Sequence, residues 1–464
     1  MANIDNTLSN LFTDIASAIR EKNNSTDRIV ADTFPSMIKA IQSNEHPDDL
    51  WDKIMNRSFS RVSDSICSYI GSYAFAGCSN LSNINIPMCT TIDDNAFSYC
   101  TTLTSASFPV CSYIGDNAFE RCFKLTSLSF PLCTTIGSEA FTYCNALTSV
   151  EFPTCIEIGQ KAFAHCNSLK SVSFPACTSI GNSAFGYCAA LTSISFPACS
   201  YIDNYAFYSC TSLKSVNFPA CTSIGYTAFN DCTNLTTVRL SSCTYIGNVA
   251  FGDCTSLKSI RFQACSYIGT WAFQSCTSLT SVSFPVCIKI GSYAFSDCTN
   301  LTTVNFPVCT YIDDHAFANC TSLTSIEFPV CSYISGAFYK CTNLKSVSLP
   351  VCTIIGDHAF YSCTSLKSVN FPACTSIGYM AFNDCTNLTT VRLSSCSYIG
   401  SHAFGDCTKL ISLYLTGSKV CSIDGIYAFY STPIYNYSKA AGRYGSIYVP
   451  ASLLASYKKA NLWS

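Results

Sequence analysis

Apolar residues recur along most of this chain with a period of 22 residues, as the stretch Cys177 to Ala198, CTSIGNSAFGYCAALTSISFPA, shows. The consensus is C-x-x-I-G-x-x-A-F-x-x-C-x-x-L-x-x-V-x-F-P. Its L-x-x-V-x-F part alternates apolar and polar residues, which is typical of a short half-buried strand. The A-F-x-x-C part predicts an irregular or one-turn helical arc. No repeat has enough apolar residues to bury a core alone, so the period predicts a solenoid whose coils cover one another.

The turns of the repeat are marked by proline and glycine. Strands of neighbouring coils are expected about 4.8 Å apart in one parallel sheet. The Pro after the Phe lacks an N–H and ends the strand. The Gly after the Ile predicts a turn residue with positive φ. Asp93, Asp203 and Asp313 take the same place, and Asp tolerates that conformation.

The 33 cysteines all belong to the repeat: seventeen stand at its first position and sixteen eleven residues later. Equivalent cysteines of neighbouring coils come within disulfide range, but their Cβ vectors point in parallel, which disfavours the dihedral that a disulfide needs. We therefore expect buried free thiols. Two thiols eleven residues apart do not make a four-ligand cage, so no metal site is predicted.

The repeat resembles a known family. L-x-x-V-x-F-P-x-C is similar to the leucine-rich repeat, and the whole unit resembles the BspA-like leucine-rich repeats of bacterial and protist surface proteins. The resemblance covers about Ser65 to Leu415 in some sixteen copies. It implies an α/β repeat solenoid, right-handed and curved, with a parallel sheet on the concave side. It also implies a role in adhesion and binding and not in catalysis.

The N-terminal residues differ from the array. Within 1–45 a helix is predicted from apolar residues at helical spacing, and a second short helix from Phe34 to Ile41. The first helix carries Leu8, Leu11, Ile15 and Ile19. The run IASAIREKNNSTDRIVADTFPSMIKAI resembles a module of tail-associated proteins of phages and prophages, which implies a two-helix piece that fixes a binding part to a larger particle. The alternative is a helical cap on the solenoid.

Three further segments complete the predicted organisation. Residues 46–66 form an N-terminal cap, with a degenerate first strand from Phe59 to Ile66. The solenoid spans 67–415, and within it 218–260 nearly recurs at 371–413, which indicates a duplicated block of coils. The C-terminal cap, 416–464, is predicted to contain a strand at Ser446 to Val449 and a helix from Pro450 to about Trp463. This run resembles the terminal cap of BspA-like arrays.

Composition narrows the function. Only 12% of residues are charged, and 26 Lys and Arg against 28 Asp and Glu give a net charge of −2. This balance argues against nucleic acid as a partner, which needs clustered Lys and Arg. No apolar run approaches the ~20 residues of a membrane span, and the N-terminus lacks the uninterrupted apolar core of a secretory signal.

Two exposed ladders are candidate binding sites. The first is the strand position after the Val, mostly small and polar, where the candidates are Asn217, Arg239, Arg261 and Arg392. Such a surface suits a repetitive glycan, or is a solvated sheet face kept free of apolar residues. The second is the residue before A-F, which varies most between coils. Its candidates are Tyr73, Tyr205, Trp271, Tyr293, His315, His358 and His402. Aromatic residues carry binding energy at interfaces, although an unconstrained position also varies freely.

No catalytic motif, cofactor site or metal site is predicted. The first hypothesis is a non-enzymatic binding protein on a phage or prophage tail that recognises a host-surface glycan or protein. Residues 1–45 would contact virion tail proteins or join copies into a homo-oligomer. Its location would be the virion or the cytoplasm of the producing bacterium. The alternatives are a structural spacer that sets distance, and a free-standing adhesin on a bacterial cell surface.

Overall fold

The computed structural model describes residues 60–63, 67–435, 445–460 and 463. It divides into two compact units, Met1–Cys199 and Ser200–Ser464, and each is described by itself. The predicted two-helix module of 1–45 lies outside the described residues. So does the predicted 46–66 cap except for 60–63, where the strand Arg61–Ser63 confirms the degenerate first strand.

Each coil contains two strands: a long strand around the Val of L-x-x-V-x-F and a short strand at the Ile before the Gly. In the first unit the long strands are Arg61–Ser63, Asn83–Asn85, Ser105–Ser107, Ser127–Ser129, Ser149–Glu151, Ser171–Ser173 and Ser193–Ser195. The short strands there are Tyr69–Ile70, Thr91–Ile92, Tyr113–Ile114, Thr135–Ile136, Glu157–Ile158 and Ser179–Ile180.

The second unit repeats this arrangement. Its long strands are Ser215–Asn217, Thr237–Arg239, Ser259–Arg261, Ser281–Ser283, Thr303–Asn305, Ser325–Glu327, Ser346–Ser348, Ser368–Phe371, Thr390–Leu393, Ser412–Leu415 and Ser446–Tyr448. Its short strands are Tyr201–Ile202, Ser223–Ile224, Tyr245–Ile246, Tyr267–Ile268, Lys289–Ile290, Tyr311–Ile312, Tyr333–Ile334, Ile354–Ile355, Ser376–Ile377, Tyr398–Ile399 and Ser422–Ile423. Among the described residues of this unit, two 3₁₀ turns, Ile426–Phe429 and Ala451–Leu453, and one α-helix, Leu454–Lys459, are present.

Strands of neighbouring coils pair in parallel and in register. Val172 lies opposite Val150, and Ile158 opposite Ile136, so each residue meets its equivalent one repeat away. The predicted parallel solenoid is confirmed. The expectation of one sheet was wrong, because the long strands form separate sheets of four and three strands in the first unit and of two, three, two and four strands in the second. The two-residue short strands form a further set of parallel pairs. They are too short to produce a recognisable alternation of apolar and polar residues.

The A-F-x-x-C arc is made of turns and forms a third hydrogen-bonded ladder. The Phe97 N–H donates to the Ala118 carbonyl at 2.7 Å, and the Tyr99 N–H donates to the Glu120 carbonyl at 2.8 Å. Two residues of the arc are left-handed in coil after coil: the one before A-F, such as Asn117 at φ 55°, and the one before the Cys, such as Arg121 at φ 57°.

The predicted positive φ at the Gly after the Ile was wrong. The positive-φ glycines of the described residues are Gly77, Gly336 and Gly425, which stand elsewhere in the repeat or in the one shortened coil. A Cβ on Gly137 would lie 2.5 Å from the carbonyl carbon of Gly115 in the neighbouring coil. Glycine is used there because backbones approach closely, and the left-handed residue comes later in the turn.

The core consists of columns of identical side chains. Phe163 is fully buried and stacks on Phe141 at 5.0 Å and on Phe185 at 5.3 Å between ring centroids. A second Phe column, at the end of the long strands, packs edge-on against the first, as Phe174 does on Phe163. The apolar positions of the consensus are buried, as Ile180, Phe185 and Leu191 are, with Ile194 only half-buried.

The cysteines confirm the prediction of free thiols. None of them forms a disulfide, and all except Cys67 are buried. First-position thiols donate to a carbonyl two residues on, as Cys177 Sγ does to Ser179 at 3.1 Å. Second-position thiols donate to the Phe carbonyl of the preceding coil, as Cys166 Sγ does to Phe141 at 3.2 Å. Burial raises the pKa of the Cys111 thiol to about 12, so these sulfurs stay protonated.

The C-terminal segment closes one edge of the second unit. Ser446–Tyr448 pairs in parallel with Ser412–Leu415, which confirms the predicted last strand. The helix after Pro450 is shorter than predicted. It positions Tyr457, whose hydroxyl accepts from the Cys421 N–H at 3.0 Å, while Trp463 Nε1 donates to the Cys421 carbonyl at 2.6 Å. The backbone of the residue directly before the last short strand, Ser422–Ile423, is thereby hydrogen-bonded.

Candidate binding surfaces

The long strands present one exposed face to solvent. In most of them the central apolar residue is buried or nearly so and both flanking residues are exposed, as in Thr237–Arg239. Asn217 lies opposite Arg239, and Asn370 opposite Arg392, in paired strands. All four strand candidates, Asn217, Arg239, Arg261 and Arg392, are exposed on this face. We call it the strand face.

A stack of rings ends the strand face of the second unit. The Arg392 guanidinium lies 4.0 Å from the centroid of the Tyr414 ring. Tyr414 in turn stacks on Tyr448 at 4.4 Å with an angle of 8° between the rings. Tyr448 is 46% exposed and belongs to the last strand of its sheet. Sequence reasoning missed both tyrosines. Tyr414 lies in register with Arg392, one repeat later, and Tyr448 lies beyond the point where the repeat loses its register.

The residue before A-F adopts the left-handed conformation in every coil up to that of His402, including Tyr73 at φ 60° and Trp271 at φ 56°. This conformation costs roughly 1–2 kcal/mol for a residue other than glycine. It is held by the arc ladder: the Trp271 N–H donates to the Ser292 carbonyl at 2.9 Å and the Tyr293 N–H to the Asp314 carbonyl at 3.0 Å. The side chains therefore leave the arc at a fixed angle in every coil.

Several of these side chains join into one row in the second unit. Trp271 stacks on Tyr293 at 5.8 Å, and Tyr293 on His315 at 4.9 Å. The row continues through other positions of the arc. His315 contacts Tyr339 at 5.2 Å, and His358 contacts Tyr339 at 6.5 Å and Tyr379 at 5.4 Å.

The row ends near the C-terminal segment. His402 contacts Tyr379 at 6.1 Å and stacks on Tyr427 at 5.2 Å. We call these eight rings the arc row: Trp271, Tyr293, His315, Tyr339, His358, Tyr379, His402 and Tyr427. Trp271, Tyr379 and Tyr427 are exposed, and the others are half-buried. Where the rings stack face to face, they present their edges to solvent.

Two of the candidates before A-F do not join the arc row. Tyr205 makes edge contacts with Tyr208 at 5.9 Å and with Tyr226 at 5.3 Å. Tyr73 belongs to the first unit and is 61% exposed. The structure thus brings five candidates of this ladder into the arc row: Trp271, Tyr293, His315, His358 and His402. Tyr339 links His315 to His358, and Tyr379 links His358 to His402.

A second row in the first unit was missed by sequence reasoning. It occupies the other left-handed position, the residue before the second Cys, and comprises Tyr99, Arg121, Tyr143, His165 and Tyr187. The Arg121 guanidinium lies 5.2 and 5.3 Å from the rings of Tyr99 and Tyr143. His165 stacks between Tyr143 and Tyr187 at 4.6 and 4.5 Å. Burial lowers the pKa of the His165 imidazole, and the positive charge of Lys161 lowers it further. The aromatic residues recurring before that Cys were the available signal.

Neither a metal site nor a membrane span emerges from the parts of the chain that the structure describes. There, no three His, Cys, Asp or Glu side chains are grouped so as to hold a metal ion. No helix among those residues is long and apolar enough to cross a membrane.

Comparison with known proteins identifies the repeat. The profile of the BspA type leucine rich repeat region matches in overlapping copies at 68–189, 134–254, 178–302, 222–336 and 331–440. A leucine-rich repeat protein from Bacteroides ovatus is 28% identical, over 74% of this chain and 89% of its own, with a TM-score of 0.57. A search of curated protein sequences finds no match.

Two further solved structures are similar in sequence over long stretches. A leucine rich cell surface protein from Faecalibacterium prausnitzii is 24% identical over 73% of this chain and 88% of its own, with a TM-score of 0.36. The pneumococcal vaccine antigen PcpA is 20% identical over 62% of this chain and 74% of its own, with a TM-score of 0.39.

Proposed function

Since the chain belongs to the BspA-type leucine-rich repeat family, we propose that it is a non-enzymatic binding protein that adheres to a cell-surface glycan or protein. The arc row is the observation that carries this proposal. Aromatic side chains supply much of the binding energy at protein interfaces. Here eight rings follow one another along one edge of a unit, and three of them are exposed.

The backbone of the arc supports a role outside the fold. Trp271 and Tyr293 occupy left-handed positions where Asn is better tolerated. Asn95 and Asn117 hold the equivalent place in the first unit, so the coil does not need an aromatic side chain there. A partner that covers these rings would explain why large aromatic residues are kept at backbone positions that are unfavourable for them.

The finer proposal is recognition of a host surface by a phage or prophage tail protein. It rests on the resemblance of residues 1–45 to tail-associated modules, and it places the protein on the virion or in the producing bacterium. Residues 1–45 would then contact tail proteins or join copies of this chain. A free-standing cell-surface adhesin and a structural spacer are the competing assignments.

The triple variant Trp271→Asn, Tyr293→Asn, His315→Asn is expected to bind cells at least about tenfold more weakly than the unchanged protein. Asn keeps the left-handed backbone and removes the rings. Binding of labelled full-length protein to a panel of bacterial strains measures the effect.

A matched control changes the same backbone position in the first unit: Glu139→Asn, Lys161→Asn and Ser183→Asn. It should bind like the unchanged protein. Equal loss in both variants would remove the arc row as the site. If the unchanged protein decorates no cells and no glycans on an array, the spacer assignment replaces the binding one.

A further inference from the structure

Charge in the second unit is divided between its faces, which the net charge of −2 conceals. Seven exposed cations lie on or directly before the long strands, and an eighth, Lys409, lies three residues before the strand Ser412–Leu415. The seven are Lys214, Arg239, Lys258, Arg261, Lys345, Lys367 and Arg392. Glu327 is the one carboxylate in the long strands of that unit. The other described carboxylates of the unit lie outside the strands: Asp203, Asp231, Asp253, Asp297, Asp313, Asp314, Asp357, Asp384, Asp406 and Asp424. The strand face is therefore basic.

The cations follow the ladder in two groups. The first extends over three consecutive coils from Lys214 to Arg261, and the second over four coils from Lys345 to Lys409. Arg239 and Arg261 occupy the same strand position one repeat apart. Their strands belong to different sheets, but their coils stack with the ring centroids of Phe229 and Phe251 5.2 Å apart. This spacing is less than the Debye length of about 8 Å at physiological salt, so the fields of the cations add.

This arrangement does not stabilise the fold. Like charges side by side on neighbouring strands are unfavourable. None of the eight cations forms an ion pair with a carboxylate in the described parts of the chain. Lys409 donates to a neutral partner, Asn387 Oδ1, at 2.7 Å. An anionic ligand would neutralise these positive charges, which no carboxylate of the described chain pairs with.

The groups between the cations indicate the class of ligand. Hydroxyl and amide side chains such as Ser215, Asn217 and Ser259 lie exposed beside them. Ring faces occur only at one end, where Tyr448 continues the stack of Arg392 and Tyr414. Single-stranded nucleic acid is bound by aromatic platforms spaced along a basic groove, which this face lacks. Rows of hydroxyls with cations suit a chain of sugars that carry acidic groups.

We propose that the strand face of the Ser200–Ser464 unit binds an acidic glycan, a polymer of sugars bearing carboxylate or sulfate groups. The proposal rests on the proposed binding function and adds a second binding surface, separate from the arc row, with its class of ligand. Two cations of the first group recur in the second copy of the duplicated block, Lys214 as Lys367 and Arg239 as Arg392, whereas Ile411 and Tyr414 replace Lys258 and Arg261.

The test uses the full-length chain, with immobilised polygalacturonate and dextran sulfate as probes and neutral dextran as control. The unchanged protein is expected to bind one or both acidic polymers, more weakly as salt increases, and not neutral dextran. The variant Lys214→Thr, Arg239→Ser, Lys258→Thr, Arg261→Ser should bind at least about tenfold more weakly. Thr280 and Ser283 hold these positions in the next coil, so the substitutions suit the fold.

A matched control removes four cations from other faces: Arg121→Ser, Lys161→Ser, Lys289→Ser and Lys340→Ser. It should bind within about twofold of the unchanged protein, because the strand face is intact. Equal loss in both variants would overturn the proposal, as would single-stranded DNA binding as tightly as the glycans. If neither acidic polymer binds while cells are still bound through the arc row, this inference fails and the proposed function stands.

Discussion

Raising the pH above about 9 is expected to unfold the protein cooperatively, because buried thiols ionise only when the coils open. Burial raises the pKa of the Cys89 and Cys133 thiols to about 12, against an ordinary value of 9.0. Between about pH 9 and pH 12 the thiols of the unfolded chain lose protons that the thiols of the folded chain keep. Stability is therefore fully present below about pH 9 and falls as the pH rises towards 12.

The expected effect is large because burial raises the pKa of both thiols in many coils, as in those of Cys111 with Cys122 and of Cys177 with Cys188. One unit of pH above the ordinary pKa changes the free energy of unfolding by about 1.4 kcal/mol per thiol. Two buried thiols per coil give about 3 kcal/mol per coil near pH 10, comparable to a large part of the stability of a small domain. Circular dichroism and the ultraviolet absorbance of thiolate, followed together against pH, measure the transition.

The two signals should change together. Thiolate absorbance that appears near pH 9 with the strand signal intact would mean that the thiols are accessible in the folded protein. A guanidinium titration at pH 7 provides the control, since it unfolds the chain while the thiols stay protonated.

Deleting residues 134–155 is expected to leave a folded protein, whereas deleting residues 134–144 is expected to abolish folding. The first deletion removes one whole repeat. Glu157–Ile158 would then pair with Tyr113–Ile114, as Thr135–Ile136 does in the intact chain. Each coil contacts only its neighbours, so the melting temperature should change by no more than about 5 °C.

The second deletion removes half a coil, so the strands of each later coil would face the arc of the coil before it. The buried columns, including the one of Phe141 and Phe163, would be interrupted, and the strand ladders on either side could not pair in register. Chains of both lengths, purified in parallel and melted by circular dichroism, provide the comparison. If both deletion variants fold equally well, the packing of the coils does not depend on their register. If neither variant folds, one coil cannot replace another.

The sequence predicted the parts of the fold that one coil shares with the next. The long strands, the buried Phe and Leu columns and the free thiols all follow from apolar residues at fixed offsets. The short strand at Tyr201–Ile202 did not, because two residues are too few to show a period. Gly137 was interpreted as a positive-φ turn, whereas its role depends on the distance to Gly115 in another coil, which no single repeat reveals.

The candidate sites were predicted by position but not by contact. The residue before A-F was correctly recognised as variable, and Trp271, Tyr293 and His315 do stack there. That Tyr339 and Tyr379 enter the same row could not be read from that one position, because they come from different offsets within the arc. Near-neutral net charge suggested that cations were not clustered, although Arg239 and Arg261 share a face from which most carboxylates are absent.

The account depends on coils that repeat by translation and stack their sulfurs as free, buried columns. Counting reactive thiols by alkylation and mass spectrometry, without reductant, tests this most directly. We expect all 33 cysteines to react in denaturant. In the native protein at neutral pH, only half-buried Cys67 is expected to react rapidly. Denatured protein with most of its sulfurs already joined in disulfides, or native protein with many thiols reacting at once, would contradict it.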